Sequence, residues 1–276
     1  ISDTLYHALP AGNRFRLRLA GSFSLKGKAE ERELFEVLWR EHGGTSVAHG
    51  MVVPAAPQVR YKLVQLRADG RPGRELEIAS GSALVGRLQG QFTFPKDEYM
   101  QPVHTRLLLE SGQLFLEPMP EADTFMSLVG SYRLQKGDVV SFGDQVLEFR
   151  VDEAALAEAA QSGKDFGELS AMLHGPVAEF VSLDADGRRY PMLEQQITWG
   201  RTKATYIFPT DTAMSRSHAK VYHRGEDFFL EDAGSTNGTF ILAREKMTVP
   251  PGAVLSIGGQ RLKVFREEDS AQGAHH

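Results

Sequence analysis

The sequence predicts a mostly β protein, with two β-sandwiches in tandem preceded by a short α+β fragment. Three observations predict it. Gly86-Arg87 returns as Gly200-Arg201, an interval of 201 − 87 = 114 residues, and Phe94-Pro95-Lys96-Asp97 and His104 return at the same interval as Phe208-Pro209-Thr210-Asp211 and His218. Farther along, Thr124-Phe125 returns as Thr239-Phe240 (239 − 124 = 115), and Gly137 and Gly143 return as Gly252 and Gly258. A slip of one position over that length is a single loop insertion in an internal repeat. Second, each copy is a series of short apolar runs. Third, those runs are separated by Gly- and Asp-rich turns, the pattern of stacked antiparallel strands.

The elements follow in order. Residues 61–66 and 178–183 are apolar runs that end at the turn clusters Asp69-Gly70 and Asp186-Gly187. Leu114–Leu116 matches Phe228–Leu230, and Val139–Phe142 matches Val254–Ile257. The closing runs Val146–Val151 and Arg261–Phe265 alternate apolar and polar residues, as half-buried strands do. The expected copies span 58–152 and 176–268. Residues 153–175 are rich in Ala and Glu with helical spacing, and Asp165 three before Glu168 resembles a capping box, so a helical spacer is expected there. Asp165-Phe166-Gly167 has no lysine strand or catalytic loop around it and is not read as a kinase metal motif.

Composition narrows the function. The chain has 276 residues, 41% hydrophobic and 24% charged, with a formal net charge of −5. No Lys/Arg-rich block provides a footprint for nucleic acid. With no cysteine there is no disulfide, thiolate metal site or cysteine nucleophile, which fits a cytoplasmic setting. No apolar run reaches the roughly 18 residues of a membrane span. The chain opens on Ile1 with no visible signal sequence, and is read as the tail of something longer.

Three loop motifs of the second copy carry chemistry: Gly200-Arg201, Ser215-Arg216-Ser217-His218, and Asp232 through Phe240, which includes Ser235-Thr236-Asn237-Gly238. A phosphorylated hydroxyl brings about −1.5 to −2 charges and three acceptor oxygens. Arg201 supplies a fork-shaped cation, and Ser215 and Thr236 supply compact hydroxyls. Arg216 supplies a second cation or a main-chain donor. Asn237 offers both a donor and an acceptor, which is what an extended peptide backbone needs. Gly234 and Gly238 permit tight turns. A Ser215–His218–Asp232 hydrolase triad is rejected, because Ser and His three apart at a loop–strand junction do not set up attack. A His218–His223 metal pair is rejected because residues five apart on a strand face opposite ways. No metal or cofactor is expected.

Taken together, the motifs resemble the forkhead-associated (FHA) family over roughly 176–268. The resemblance implies an eleven-stranded sandwich whose apical loops bind phosphothreonine. It implies that Arg201 and Ser215 hold the phosphate with Thr236 nearby, that Arg216 and Asn237 meet the peptide main chain, and that Gly200, His218, Gly234 and Gly238 support the site. The first copy keeps Arg87 and His104, but Gln101, Pro102, Glu121 and Ala122 stand where Ser215, Arg216, Thr236 and Asn237 stand in the second. It is expected to be a degenerate FHA-like sandwich with no phosphothreonine site.

Residues 3–10 read as a short helix end stopped by Pro10, residues 14–19 as an edge strand, and Leu34–Trp39 as helix or strand. Leu25-Lys26-Gly27 and its flanks, through Phe35-Glu36-Val37, resemble the C-terminal end of class III nucleotidyl cyclase domains. Residues 1–45 are accordingly expected to be a remnant of such a domain, without its metal-binding carboxylates, and 46–57 a linker. The reading is a non-enzymatic regulatory module that binds a phosphothreonine-containing protein, or a phosphorylated segment of its own chain, in a Ser/Thr kinase pathway. The alternative is a cyclase fragment whose sandwiches act as a dimerisation or phosphate-independent scaffold.

Overall fold

The computed structural model describes residues 17–24, 31–37, 47–48, 51–52 and 59–268. The chain divides into two compact units, Ile1–Gln58 and Val59–His276. In the first, β1 (Leu17–Ser24) pairs antiparallel with β2 (Glu31–Val37), so the run from Leu34 is strand as far as Val37. Within the expected linker, β3 (Val47–Ala48) pairs with β4 (Met51–Val52). The expected helix at 3–10 and the Leu25-Lys26-Gly27 turn lie outside the described residues.

The second unit follows the repeat strand for strand. The first copy supplies β5 (Val59–Leu66), β6 (Pro72–Ile78), β7 (Gly81–Gly86), β8 (Phe92–Thr93), β9 (Thr105–Glu110), β10 (Gln113–Pro118), β11 (Thr124–Ser127), β12 (Ser131–Leu134), β13 (Val139–Phe142) and β14 (Gln145–Val151). The second supplies β15 (Ala178–Ser182), β16 (Arg189–Pro191), β17 (Gln196–Gly200), β18 (Tyr206–Ile207), β19 (Ala219–Arg224), β20 (Asp227–Asp232), β21 (Thr239–Ala243), β22 (Met247–Thr248), β23 (Val254–Ile257) and β24 (Gln260–Glu268). Each copy thus has ten strands where the family resemblance implies eleven. The expected spacer holds two helices, Glu153–Ser162 and Phe166–Leu173. Asp152 and Asp165 cap their first turns, Asp165 by accepting from the Glu168 amide at 2.8 Å. Phe166 is buried and stacks on the His223 ring at 4.1 Å, which fixes the second helix against β19.

The pairing departs from the expectation of two self-contained sandwiches at 58–152 and 176–268. One five-stranded sheet runs β22-β10-β9-β7-β8 and the other β12-β20-β19-β17-β18, so each takes its edge strand from the other copy. A ten-stranded sheet runs β16-β15-β14-β13-β21-β11-β23-β24-β5-β6. The opening strand of the first copy therefore pairs with the closing strand of the second, Val59 opposite Glu268 through Leu66 opposite Arg261. The opening strand of the second pairs with the closing strand of the first, Ala178 opposite Val151. The copies trade their C-terminal strands at the three-residue connections Leu128–Gly130 and Arg244–Lys246, just after β11 and β21, which pair antiparallel with each other. Short connections favour such an exchange, because the chain runs on into the neighbouring body instead of turning back into its own. Leu128 is tied there by its amide, which donates to the Thr239 carbonyl at 2.8 Å.

The cores are correspondingly mixed. Under the second copy's loops, Trp199 and Phe180 stack edge to face at 4.8 Å, and Phe149 of the first copy lies 5.1 Å from both Phe180 and Phe228. Phe142, also of the first copy, lies 5.3 Å from Trp199. These side chains are buried, and burying each contributes on the order of 2 kcal/mol or more.

The exchange makes a direct prediction in a chain with no native cysteine. Lys62 faces Phe265 across β5 and β24, whereas in self-contained sandwiches it would face Arg150, the repeat counterpart of Phe265. Lys62→Cys with Phe265→Cys should oxidise to an internal bridge, and Lys62→Cys with Arg150→Cys should not. Peptide mapping after oxidation reads which bridge forms, and the opposite pattern contradicts the exchanged topology.

Candidate phosphopeptide site

The site begins where β17 ends. An added Cβ at Gly200 would stand 2.2 Å from the Arg216 carbonyl oxygen, so only glycine lets the two loops approach this closely. That approach lets the Arg201 amide donate to the Ser215 carbonyl at 2.8 Å, and the Thr202 and Lys203 amides donate to the Arg216 carbonyl at 3.3 and 3.0 Å. Arg201 is therefore held beside Ser215 through the main chain. Among the described residues its guanidinium makes no hydrogen bond or ion pair, and neither does the exposed guanidinium of Arg216.

His218 is wholly buried and joins two loops. Its Nδ1 accepts from the Ser215 amide at 3.0 Å, so the ring proton sits on Nε2, which donates to the Gly238 carbonyl at 3.0 Å. The ring thus binds the Ser215 main chain and leaves the hydroxyl alone. Among the described residues no cluster of His, Cys, Asp or Glu could hold a metal. The Ser215 hydroxyl oxygen accepts from the Thr236 amide at 3.0 Å. That contact uses a lone pair and leaves the O–H free to donate outward.

The loop carrying Thr236 and Asn237 is organised by Asp232, which opens the third motif and to which the motif alone assigns no role. One carboxylate oxygen accepts from the Gly234 and Ser235 amides at 2.9 and 2.8 Å, and the other from the Ser235 and Thr239 hydroxyls at 2.6 and 2.7 Å. Burial alone would push this carboxyl up. The hydroxyls and amides aimed at it outweigh burial and hold it below its ordinary value. Gly234 and Gly238 take φ values of +79° and +86°, which accounts for glycine at both turns. Asn237 donates from Nδ2 to the Ala213 carbonyl at 2.8 Å, so one of its donors is committed internally, and its Oδ1 makes no hydrogen bond among the described residues.

A further residue of the site was legible only as part of a repeat. Asp211 accepts from the Ala213 and Met214 amides, both at 3.0 Å, and so sets the turn that delivers Ser215. Its other oxygen accepts from the Asp144 amide at 2.9 Å and Gln145 Nε2 at 3.0 Å, both from the first copy. Asp97 makes the mirror contacts, accepting from the Gly259 amide at 3.0 Å and Gln260 Nε2 at 2.7 Å.

The first copy keeps the frame and places other side chains at the corresponding loop positions. His104 accepts from the Gln101 amide at 3.0 Å and meets the Asp123 carbonyl at 3.1 Å, which places Gln101 where Ser215 stands and Asp123 where Gly238 stands. Glu121 and Ala122 then occupy the places of Thr236 and Asn237, and Ala122 is buried. The faces of the two copies border a shared cavity of about 580 Å³ lined by Gln101, Glu121 and Asp123 on one side and Ala213, Asn237 and Gly238 on the other.

The Asp232 network predicts an acid-sensitive loop. A carboxyl held below its ordinary value of 3.8 contributes stability that is complete above that value and lost as pH falls through the lower folded value. Amide protection at Gly234, Ser235 and Gly238 should fall as pH drops below 3.8. Asp232→Asn should lose about 1 kcal/mol at neutral pH and flatten the acid dependence. Hydrogen exchange across the acid range tests both, and an unchanged profile in the variant rejects this role.

The FHA domain profile matches residues 197–258. The FHA domain-containing protein FhaB of Mycobacterium tuberculosis (strain ATCC 25618 / H37Rv) is 40% identical over 76 residues, 26% of this chain and 48% of its own length. FhaB of Mycolicibacterium smegmatis gives the same figures, so the chain spans about half the length of these curated relatives. A solved structure from a structural and functional analysis of phosphothreonine-dependent FHA domain interactions is 30% identical, covering 30% of this chain and 88% of that one, with a TM-score of 0.21. The FhaA FHA domain complexed with the intracellular domain of Rv3910 is 27% identical, covering 30% and 92%, with a TM-score of 0.19. Residues 197–258 of this chain are an FHA domain.

Proposed function

We propose that the second copy's loops bind a phosphothreonine-containing segment, with Arg201 and Ser215 holding the phosphate, Thr236 beside them, and Arg216 and Asn237 meeting the peptide main chain. The observation that carries the reading is Arg201. Its guanidinium has no internal partner among the described residues, yet its amide is fixed at 2.8 Å to the Ser215 carbonyl. A cation positioned so firmly and left uncommitted is suited to an external anion. Ser215 adds an outward hydroxyl proton and Asn237 a free carbonyl oxygen. A relative adds support: FhaB, 40% identical over 76 residues, is an FHA domain-containing protein.

On this reading the chain is a binding module of Ser/Thr kinase signalling, and its partner is a phosphorylated protein or a phosphorylated segment of its own chain. The first copy has the Glu121 carboxylate in the place of Thr236, where it would face a phosphate, and is silent toward the same peptide. We also keep the proposal that residues 1–45 are the closing segment of a class III cyclase domain, with the chain as the regulatory tail. The antiparallel pairing of Leu17–Ser24 with Glu31–Val37 supports it, since two such strands are part of what that resemblance implies.

Titration of matched threonine, phosphoserine and phosphothreonine peptides tests the function. Phosphothreonine should bind best, and loss of its methyl should cost on the order of 1 kcal/mol. Arg201→Ala should lower affinity by at least about tenfold, since charge-assisted hydrogen bonds are worth about 1.5–3 kcal/mol each, while the melting temperature stays put. Equal affinity for the variant and the parent rejects the assignment of Arg201.

A further inference from the structure

We infer that the first copy, although it lacks the ligating residues, is a working half of the phosphopeptide reader, because its Gln145 and Phe142 position the loops of the second copy's site. The inference rests on the proposed function for its binding consequence, while its structural half stands on geometry alone. β13 and β14 of the first copy lie inside the sandwich that carries Arg201 and Ser215, with β13 paired to β21 and β14 to β15. The turn between them, Gly143-Asp144, meets the Asp211 carboxylate directly: an added Cβ at Gly143 would stand 2.6 Å from Asp211 Oδ2.

The chain of contacts is short. Gln145 Nε2 and the Asp144 amide donate to Asp211 Oδ2, and Asp211 Oδ1 receives the Ala213 and Met214 amides. Ser215 follows at once, its amide on His218 Nδ1 and its hydroxyl oxygen on the Thr236 amide. Phe142 holds the other side of the brace, with its ring 5.9 Å from the His218 imidazole and 5.3 Å from Trp199. Asp211 Oδ2 takes two donors from the first copy, and removing Gln145 leaves the Asp144 amide alone to hold it, which loosens the turn that aims Ser215. Gln145 is thus a positioning residue, acting through Asp211, and it belongs to the copy that does not bind.

Repeat symmetry provides the control. In self-contained sandwiches Gln145 would meet Asp97, the acid that Gln260 now meets at 2.7 Å. Gln145→Met in the whole chain, mapped by amide chemical shifts, should move Ala213, Met214 and Ser215 and leave residues 97–101 in place. Affinity for a phosphothreonine peptide should fall about three- to tenfold, the effect of one internal hydrogen bond. Shifts centred on residues 97–101 overturn the inference. Shifts at 213–215 with unchanged peptide affinity also overturn the positioning role, provided Arg201→Ala abolishes binding. The amide map needs no peptide, so it remains decisive for the cross-copy contact if Arg201→Ala leaves binding intact and the functional reading fails.

Discussion

The pairing of Val59–Leu66 with Gln260–Glu268 is the constraint on which the second unit depends. It joins the first strand of the unit to the last, and it buries Leu63, Leu262 and Val264 in the same layer. Once these strands are zipped together, the closing strand of the first copy has lost its own opening strand as a neighbour. It finds Ala178–Ser182 instead. The two pairings therefore imply each other, and the β11–β21 pair at the centre fuses the two sandwich halves into a ten-stranded sheet. Such long-range pairing is slow to form, because loop-closure entropy is lost before the contacts that offset it are made.

This arrangement gives the first copy a structural part in the second. Gln101, Glu121 and Ala122 stand where Ser215, Thr236 and Asn237 stand in the second copy, while Asp97, His104 and the Gly143 turn keep the frame. The frame residues serve the other body as much as their own. The first copy's strands complete the sandwich beneath the loops around Arg201, and its Asp144 and Gln145 hold Asp211.

The sequence made the repeat, its strands and the spacer helices legible because each rests on local chemistry: alternating apolar residues, glycine turns, and Asp caps. The candidate site was legible for the same reason. Ser215, Thr236 and Asn237 sit in short motifs, and the His218 ring bonds the Ser215 amide and the Gly238 carbonyl. What the sequence left hidden is the partner of each strand. β14 and β24 are near-equivalents, as are β5 and β15, so alternation alone fits β5 to either closing strand. The choice depends on two three-residue connections whose direction has no signature in composition. The sequence assigns Asp232 and Asp211 no role of their own, because they order amides within a loop, which no spacing rule announces. Asn237 is only partly free for a peptide, because Ala213 already takes one of its donors.

Cutting the chain between the copies tests the central claim most directly. Gly163 lies in the exposed connection between the two spacer helices, with no strand crossing it. A specific protease site placed there would sever the only covalent link between the copies. The account predicts that the cleaved pieces stay together as one folded body, co-eluting at the size of the intact chain under native conditions, and part only in denaturant. Separation into two folded pieces under native conditions would contradict it.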